Sequence, residues 1–538
     1  MSFSRPNRSS ATKTKNRVEP APASGMCVTC LDGCPGPCEI GQSAIKGREV
    51  IYPQPYGKIT AGADKDYPVD FSHFNIQGTC VGAVGIAADP DKALFPLVDT
   101  TTELGSDGSI KLSFPVFTGA VGSTFIARSN WEEMAIGAAI SGILVIAGEN
   151  ICGMDQDAEF RNGRVVRSPE MERRVNTFRQ WFDGTGGIVV QANVEDTNLG
   201  VPEYVIQKLG VEIFELKWGQ GAKDIGGEVK LGSIERAMQL KERGYLVLPD
   251  PTTDTAKKAF KAGGIKEFER HSRLGMVDED GFYQAVEHLR KLGAKYVTLK
   301  TGAYRPADLA RAIKFSSNAR IDLLTIDGAG GGTGMSPWRM MNEWGIPTVY
   351  LECLAYDMCE RLRLQGAYVP PLAIAGGLSL EDHLFKAIAL GAPYVKAICL
   401  GRALMAAAMV GKTQGNKVRE SVGKEGVESE VSKGLESELI GTFAVGAELK
   451  ERFGNRFSEI PPGAIGIYSY VSRLKQGLQQ LMAGARKFGV EYIDRNDLVS
   501  LTREAASISG IPYVMESDME EINNILGEIP TVMRKAMP

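Results

Sequence analysis

The run LLTIDG at 323–328 leads straight into Asp327-Gly-Ala-Gly-Gly-Gly-Thr-Gly-Met-Ser-Pro337. A short apolar run ending in an acid and a glycine cluster reads as a buried strand that delivers its C-terminal end to a ligand loop. Five glycines among these eleven residues let backbone N–H groups approach an anion without interference from Cβ atoms. A phosphate or the edge of a flat cofactor is the natural ligand of such a loop.

Working outward from this stretch, similar apolar runs recur on both sides. Upstream are FPVFTGAV (114–121), ILVIAG (143–148), IVVQANV (188–194), IFELKWG (213–219), YLVLPD (245–250) and YVTLKTG (296–302). Downstream are TVYLEC (348–353), LAIAGG (372–377) and YVKAICLG (394–401). Helical patterns separate them, as at Pro306-Ala-Asp308, where Pro opens a helix, and at Ser379-Leu-Glu-Asp382, which resembles a capping box. Repeated strand–helix alternation predicts an α/β fold with a parallel sheet, and the length suits a (β/α)8 barrel. Ten candidate strands exceed the eight required, so two are expected in insertions; a doubly wound sheet is the structural rival.

The expected organisation has four parts. Residues 1–24 form a Ser-, Pro- and basic-rich tail, 25–110 a Cys-rich N-terminal region, 111–411 the barrel, and 412–538 a C-terminal helical extension. The 538 residues are 43% hydrophobic and 23% charged, an ordinary globular balance that excludes a collagen-like or mostly disordered chain. With 61 basic and 65 acidic residues the net charge is −4, and nothing global favours nucleic acid. The apolar run Met134 to Gly148 is Gly- and Ala-rich and falls short of the roughly 20 residues a membrane span needs. A helix followed by a strand is the better reading, and without a secretory h-region at the N-terminus a cytoplasmic location is expected.

Two more loops follow predicted strands: Ala375-Gly376-Gly377-Leu-Ser379 and Leu400-Gly401-Arg402-Ala403. Loops after strands 7 and 8 are the usual phosphate site of such barrels, and Arg402 can add charge-assisted hydrogen bonds. Lys223 lies in the Gly-rich loop Gln220-Gly221-Ala222-Lys223, where it can face a carboxylate or simply solvent. Lys300 closes an apolar strand and is expected to point into the barrel mouth.

Nine cysteines are present, four of them within twelve residues: Cys27, Cys30, Cys34 and Cys38. In a reducing compartment such a cluster binds metal more often than it forms disulfides. Four thiolates suit a 4Fe–4S cluster, with structural zinc as the alternative. Cys80, in Gly-Thr-Cys-Val-Gly, reads as a core residue rather than a fifth ligand. The histidines His73, His271, His288 and His383 form no metal or triad pattern.

From about Phe114 to Arg402 the chain resembles the FMN-binding synthase domain of glutamate synthase. The family motif QGAKPGEGGQLPG is matched in length by Gln220 to Gly232, and FGVTPEYL by Leu199-Gly-Val-Pro-Glu203-Tyr204. The motif SGHDGGTGASP is similar to Asp327–Pro337, and ADGGL to Ala375-Gly-Gly-Leu378. The resemblance implies an FMN-dependent barrel oxidoreductase acting on CH–NH2 donors. It places Gly119, Ala120, Val121, Lys300, Gly331, Gly332, Thr333, Gly376, Gly377, Gly401 and Arg402 around the flavin, and gives Lys223 and Arg243 to the 2-oxo-acid.

Several departures accompany this match. A family glutamine falls at Val229, the family His-Asp pair is Ala329-Gly330, and the acidic residue after the barrel lysine is absent, since Thr301 follows Lys300. The three cysteines that hold a 3Fe–4S cluster after the last strand are also missing, and the N-terminal cysteines are expected to replace them. Position 2 is Ser, so no N-terminal Cys nucleophile for a glutaminase is expected, and no GxGxxG opens a nucleotide-binding unit. The implied activity is reduction of a 2-oxo-acid imine, by default from 2-oxoglutarate, or the reverse. An N-methylglutamate synthase-like or other amino-acid oxidoreductase is the alternative, and an electron-transfer subunit is a second. Expected partners are ferredoxin or an NAD(P)H-oxidising subunit, a separate ammonia-supplying subunit, and further copies of the chain in an oligomer.

Overall fold

The computed structural model describes residues 67–223, 225, 229–331, 336–422 and 428–527. Eight parallel strands close a barrel in chain order. They are β1 (Val116–Thr118), β2 (Leu144–Ala147), β3 (Gly187–Ala192), β4 (Ile213–Lys217), β5 (Tyr296–Thr301), β6 (Leu323–Asp327), β7 (Leu372–Ala375) and β8 (Val395–Leu400). Pairing of β8 with β1, Ile398 against Val116 and Leu400 against Thr118, closes the ring and excludes the doubly wound rival. Each strand is followed by a helix: α1 (Trp131–Ser141), α2 (Pro169–Arg179), α3 (Val201–Gln207), α4 (Glu279–Leu292), α5 (Pro306–Asn318), α6 (Thr348–Leu364), α7 (Glu381–Leu390) and α8 (Arg402–Val422).

Of the ten candidate runs, eight are the barrel strands. YLVLPD contributes Leu246–Leu248 to a small antiparallel sheet inserted between β4 and α4, beside Val229–Leu231 and Phe268–His271. TVYLEC is not a strand but the first turns of α6. Its β-branched and aromatic residues favour a strand locally, yet the helix starts just after Pro347 and buries Val349, Glu352, Ala355, Cys359 and Leu362. That spacing of three to four residues is a helix face, and packing on the barrel overrides propensity.

Two apolar layers result. The lumen holds Phe117, Leu144, Ile146, Val189, Ile213, Tyr296, Leu323, Ala373, Ala375, Ala397 and Cys399 in one buried cluster. Leu104, Ile110 and Leu112, from the hairpin Thr102–Leu104/Ile110–Leu112, belong to the same cluster and plug the end away from the strands' C-termini. The larger cluster lies between strands and helices.

The composition shift at Gly411 falls within α8 rather than between elements. There α8 meets α9 (Pro462–Gly484) so closely that a Cβ on Gly411 would stand 2.6 Å from the Pro462 carbonyl, and one on Gly466 2.6 Å from that of Ala407. The extension is therefore anchored: Leu498–Ser500 also pairs antiparallel with Phe74–Ile76. Two local expectations are corrected. Cys80 is exposed, in an irregular surface stretch, not in the core. At the start of α7 the cap is not Ser379; the buried His383 ring accepts from the Ser379 and Leu380 N–H groups at 3.0 and 3.1 Å. Burial holds that imidazole neutral, with its pKa lowered to about 4. Among the described residues no helix is long and apolar enough to cross a membrane.

Candidate active site at the barrel mouth

Side chains alternate along each barrel strand, so residues two apart share the lumen. Above the apolar layers this brings Gln191, Glu215, Thr298, Lys300, Thr325, Asp327 and Cys399 to the C-terminal end. Lys300 pairs with Thr325 on β6 and Lys217 on β4 in register. Its ammonium lies 3.0 Å from Asp327 Oδ2, and both side chains are largely buried. Burial alone would lower the Lys300 pKa, but the negative charges of Asp327 and Glu215 outweigh it and raise the pKa above the ordinary lysine range. Glu215 is buried and accepts a hydrogen bond from Gln191 Nε2. Burial raises its pKa even against the Lys300 charge. Two polar atoms in this layer, Gln191 Oε1 and Thr325 Oγ1, are buried without a hydrogen-bond partner. Such atoms are costly unless a ligand or water completes them.

Around this floor the loops after β1, β6, β7 and β8 meet glycine on glycine. A Cβ on Gly119 would stand 2.8 Å from Gly401 Cα, and one on Gly376 2.6 Å from the Gly328 carbonyl. Gly376 and Gly377 have φ of +120° and +89°, which side-chain-bearing residues rarely adopt. Gly331 faces Gly376 Cα at 3.7 Å from its would-be Cβ. Gly401 differs: nothing lies within 4 Å of the position a Cβ would take. The result is bare backbone beside open space, next to the small side chains Ala375 and Ala397. Arg402, the first residue of α8, is exposed at this edge. The glycine cradle and the orphaned polar atoms fit a flat heterocycle carrying a phosphate.

A second set of charges lies on the β2–β4 side. Lys217 Nζ is 3.0 Å from Glu149 Oε2 and donates to Gln220 Oε1 at 2.7 Å. Burial would raise the Glu149 pKa, but Lys217, Lys223 and Arg270 pull it down to about 2. Lys223 is 6% exposed, and its ammonium has no partner among the described residues. Burial, reinforced by Lys217 and Arg270 against Glu149, lowers its pKa to about 8. Asp196 accepts from the Asn150 N–H at 2.9 Å, and burial lifts its pKa to about 7.

Comparison with known proteins matches residues 270–412 to the conserved region in glutamate synthase. The chain is 40% identical over 308 residues to the archaeal-type glutamate synthase (NADPH) of Dehalococcoides mccartyi, across 57% of this chain and 52% of the relative. Over these residues the chain is similar to glutamate synthases. It is 29% identical over 190 residues to the glutamate synthase large subunit-like protein YerD of Bacillus subtilis, covering 34% of this chain and 32% of that one. This glutamate synthase-like chain thus spans about half or less of the length of the curated relatives it matches. Among solved structures it is similar to a flavocytochrome b2 variant with sulfite bound, with 11% identity and a TM-score of 0.45 over 86% of this chain and 83% of that one.

Within the glutamate synthase-like barrel, the structure brings Gly119, Ala120, Val121, Lys300, Gly331, Gly376, Gly377, Gly401 and Arg402 to one end. Gly332 and Thr333 lie outside the described residues, as do Cys27, Cys30, Cys34 and Cys38. Arg243 meets backbone carbonyls and an aromatic ring. Its guanidinium donates to the carbonyls of Gly153 (2.8 Å) and Asp155 and rests over the Phe160 ring at 4.7 Å. It clamps the loop after β2 and is occupied by backbone.

The sequence alone assigns no role to Glu149, Gln191, Asp196, Glu215 or Arg270, and marks Asp327 only as the end of a strand. A charge inside an apolar strand, as at Glu215, was a usable signal. Asp327 supplies the acid that the residue after Lys300 does not. Arg270 gave none, because its place depends on an inserted sheet, where it pairs directly with Val229.

Proposed function

We propose that this chain is an FMN-dependent oxidoreductase of the glutamate synthase family that interconverts a 2-oxo-acid imine and an amino acid, with 2-oxoglutarate and glutamate as the default pair. The observation that carries this reading is the bare glycine rim of β1, β6, β7 and β8 around the buried Lys300–Asp327 pair. Bound there, FMN would supply the hydride acceptor and donor for a carbon bearing nitrogen. The chain's own residues do the rest. Arg402 and the loops after β7 and β8 take the phosphate, as in barrels generally. Lys300 holds positive charge where a reduced flavin carries negative charge, and Asp327 keeps that lysine protonated. Gln191 and Thr325 offer free hydrogen-bonding atoms to the ring edge. Lys223 binds a substrate carboxylate on the β2–β4 side, and the charged floor excludes apolar substrates.

In this proposal Cys27, Cys30, Cys34 and Cys38 would hold a 4Fe–4S cluster, which would supply one-electron chemistry to the flavin site. Ferredoxin or an NAD(P)H-oxidising subunit supplies the electrons, and a separate subunit supplies ammonia. Support comes from the four-thiolate spacing and from the relatives' names, which specify NADPH. A second reading, an electron-transfer subunit without its own small substrate, is favoured by Val229 and Ala329 standing where the family has polar groups.

Anaerobically purified protein tests both. The expected result is a flavin absorbance band, about four irons per chain, and bleaching of the flavin by L-glutamate. Bleaching by reduced ferredoxin but by no amino acid selects the electron-transfer reading, and no uptake of FMN overturns both.

A further inference from the structure

Arg270 is 3% exposed, at the centre of the three-stranded inserted sheet, paired with Val229 on one side and Val247 on the other. Directly opposed residues of an antiparallel pair project to the same face. Its guanidinium therefore emerges beside the partly buried Val229 and the buried Val247, over the Tyr245 ring at 5.1 Å. Nη1 donates to Ser272 Oγ at 2.9 Å, while the buried Nε has no partner. The neighbouring Arg273 is accounted for, since its backbone N–H donates to Glu195 at 2.8 Å and its guanidinium pairs with the same carboxylate.

Charge arithmetic at this corner of the mouth is unbalanced. Lys217, Lys223 and Arg270 face three carboxyls that are already engaged: Glu149 pairs with Lys217, Glu195 with Arg273, and Asp196 accepts from the Asn150 and Asn193 N–H groups. The buried ammonium of Lys223, without a partner among the described residues, and the half-satisfied guanidinium of Arg270 remain. Buried charges are normally paired, because an uncompensated one costs several kcal/mol. A guanidinium with its Nε edge free is shaped to take a carboxylate through parallel N–H bonds.

We propose that Arg270, and not Arg243, is the arginine that binds the carboxylate of the substrate acid, completing with Lys223 an anion pocket beside Glu149. This inference rests on reading the barrel mouth as a substrate site, and it adds the residue that selects for the acid. The inserted sheet is then part of the active site, not a surface decoration. It supplies a guanidinium from the strand adjacent to Val229, whose own apolar side chain offers no hydrogen bond.

The test is equilibrium binding of 2-oxoglutarate, pyruvate and oxalate to the full chain by calorimetry, with melting temperature and FMN uptake recorded for every variant. Arg270→Gln is expected to weaken anion binding by about tenfold or more with FMN uptake unchanged. Arg270→Lys, which keeps the charge and loses the fork, should fall between it and the parent, and it serves if the Gln variant does not fold. Arg243→Lys should bind like the parent. Parent-like binding by both Arg270 variants overturns the proposal, as does a parent chain that binds none of the three anions. Failure of FMN uptake with Arg270-dependent anion binding intact would instead sink the flavoenzyme reading and leave the anion pocket standing.

Discussion

Lys300 Nζ and Asp327 Oδ2 form a 3.0 Å ion pair between the ends of adjacent barrel strands. The pair is nearly sealed from water, and Glu215 adds a further negative charge from β4. A cation held in this way stabilises any anion formed above it. Lys300→Met removes the ammonium paired with Asp327 and leaves the Asp327 and Glu215 carboxyls at the barrel mouth. The midpoint potential of bound FMN should fall by about 30–60 mV, which is ~1.4–2.8 kcal/mol for two electrons. Spectroelectrochemistry measures it, and an unchanged or higher potential would separate Lys300 from the flavin.

Gly401 and Gly119 make opposite predictions from neighbouring positions. A Cβ at Gly401 meets no protein atom within 4 Å, so Gly401→Ala should leave the melting temperature of the apoprotein unchanged. Its FMN affinity should drop about tenfold, in line with an overpacking cost of ~1–3 kcal/mol. Gly119→Ala drives a Cβ to 2.8 Å from the Gly401 backbone and should lower the melting temperature even without ligand. Equal FMN affinity in Gly401→Ala and parent would show that the open space is not the ligand's.

Lys223 should make anion binding pH-dependent. Burial, Lys217 and Arg270 depress its pKa to about 8 against the pull of Glu149. The charged form that attracts an anion is present below that value and is lost above it. Affinity for 2-oxoglutarate should therefore decline between pH 7 and 9, approaching tenfold per pH unit beyond the pKa if the anion binds only the ammonium. In Lys223→Arg the group stays protonated and the decline should vanish. Calorimetry across this range decides, and a decline of the same size in the Arg variant would assign it to another group.

Glu352 offers a stability test away from the site. It lies on α6, 1% exposed, and neither carboxylate oxygen has a hydrogen-bond partner. Burial raises its pKa well above the ordinary value, with Arg495 offsetting only part. A raised carboxyl pKa gives stability that is complete below the unfolded value of 4.5 and is lost as pH climbs through the folded one. Glu352→Gln removes that linkage. The fall in melting temperature from pH 5 to pH 8 should be smaller in the variant than in the parent. An identical fall in both proteins would clear Glu352 of the effect.

Local residue order revealed much of the barrel because it depends on local rules. Near-continuous apolar runs such as IVVQANV and YVTLKTG are buried on both faces, and nothing but a parallel sheet covered by helices suits that. The loops at Gly376-Gly377 and Gly401 were legible for a similar reason, since bare backbone beside a strand end signals close approach. TVYLEC misled because its first residues favour a strand, while its buried positions repeat at helical spacing only over the whole of α6. Arg243 was placed by a resemblance, and a matched position does not show which carbonyls a long side chain will meet.

Sequence alone determined the alternation, the glycine-rich strand ends and the four-cysteine spacing, all properties of neighbours along the chain. Tertiary structure decided which charges share the mouth. Asp327 reaches Lys300 because β5 and β6 lie side by side, and Arg270 joins Lys223 and Glu149 because an inserted sheet folds back over the strand ends. Those partners are separated by up to about 120 residues, and Coulomb energy depends on distance in space, which the order of residues does not encode.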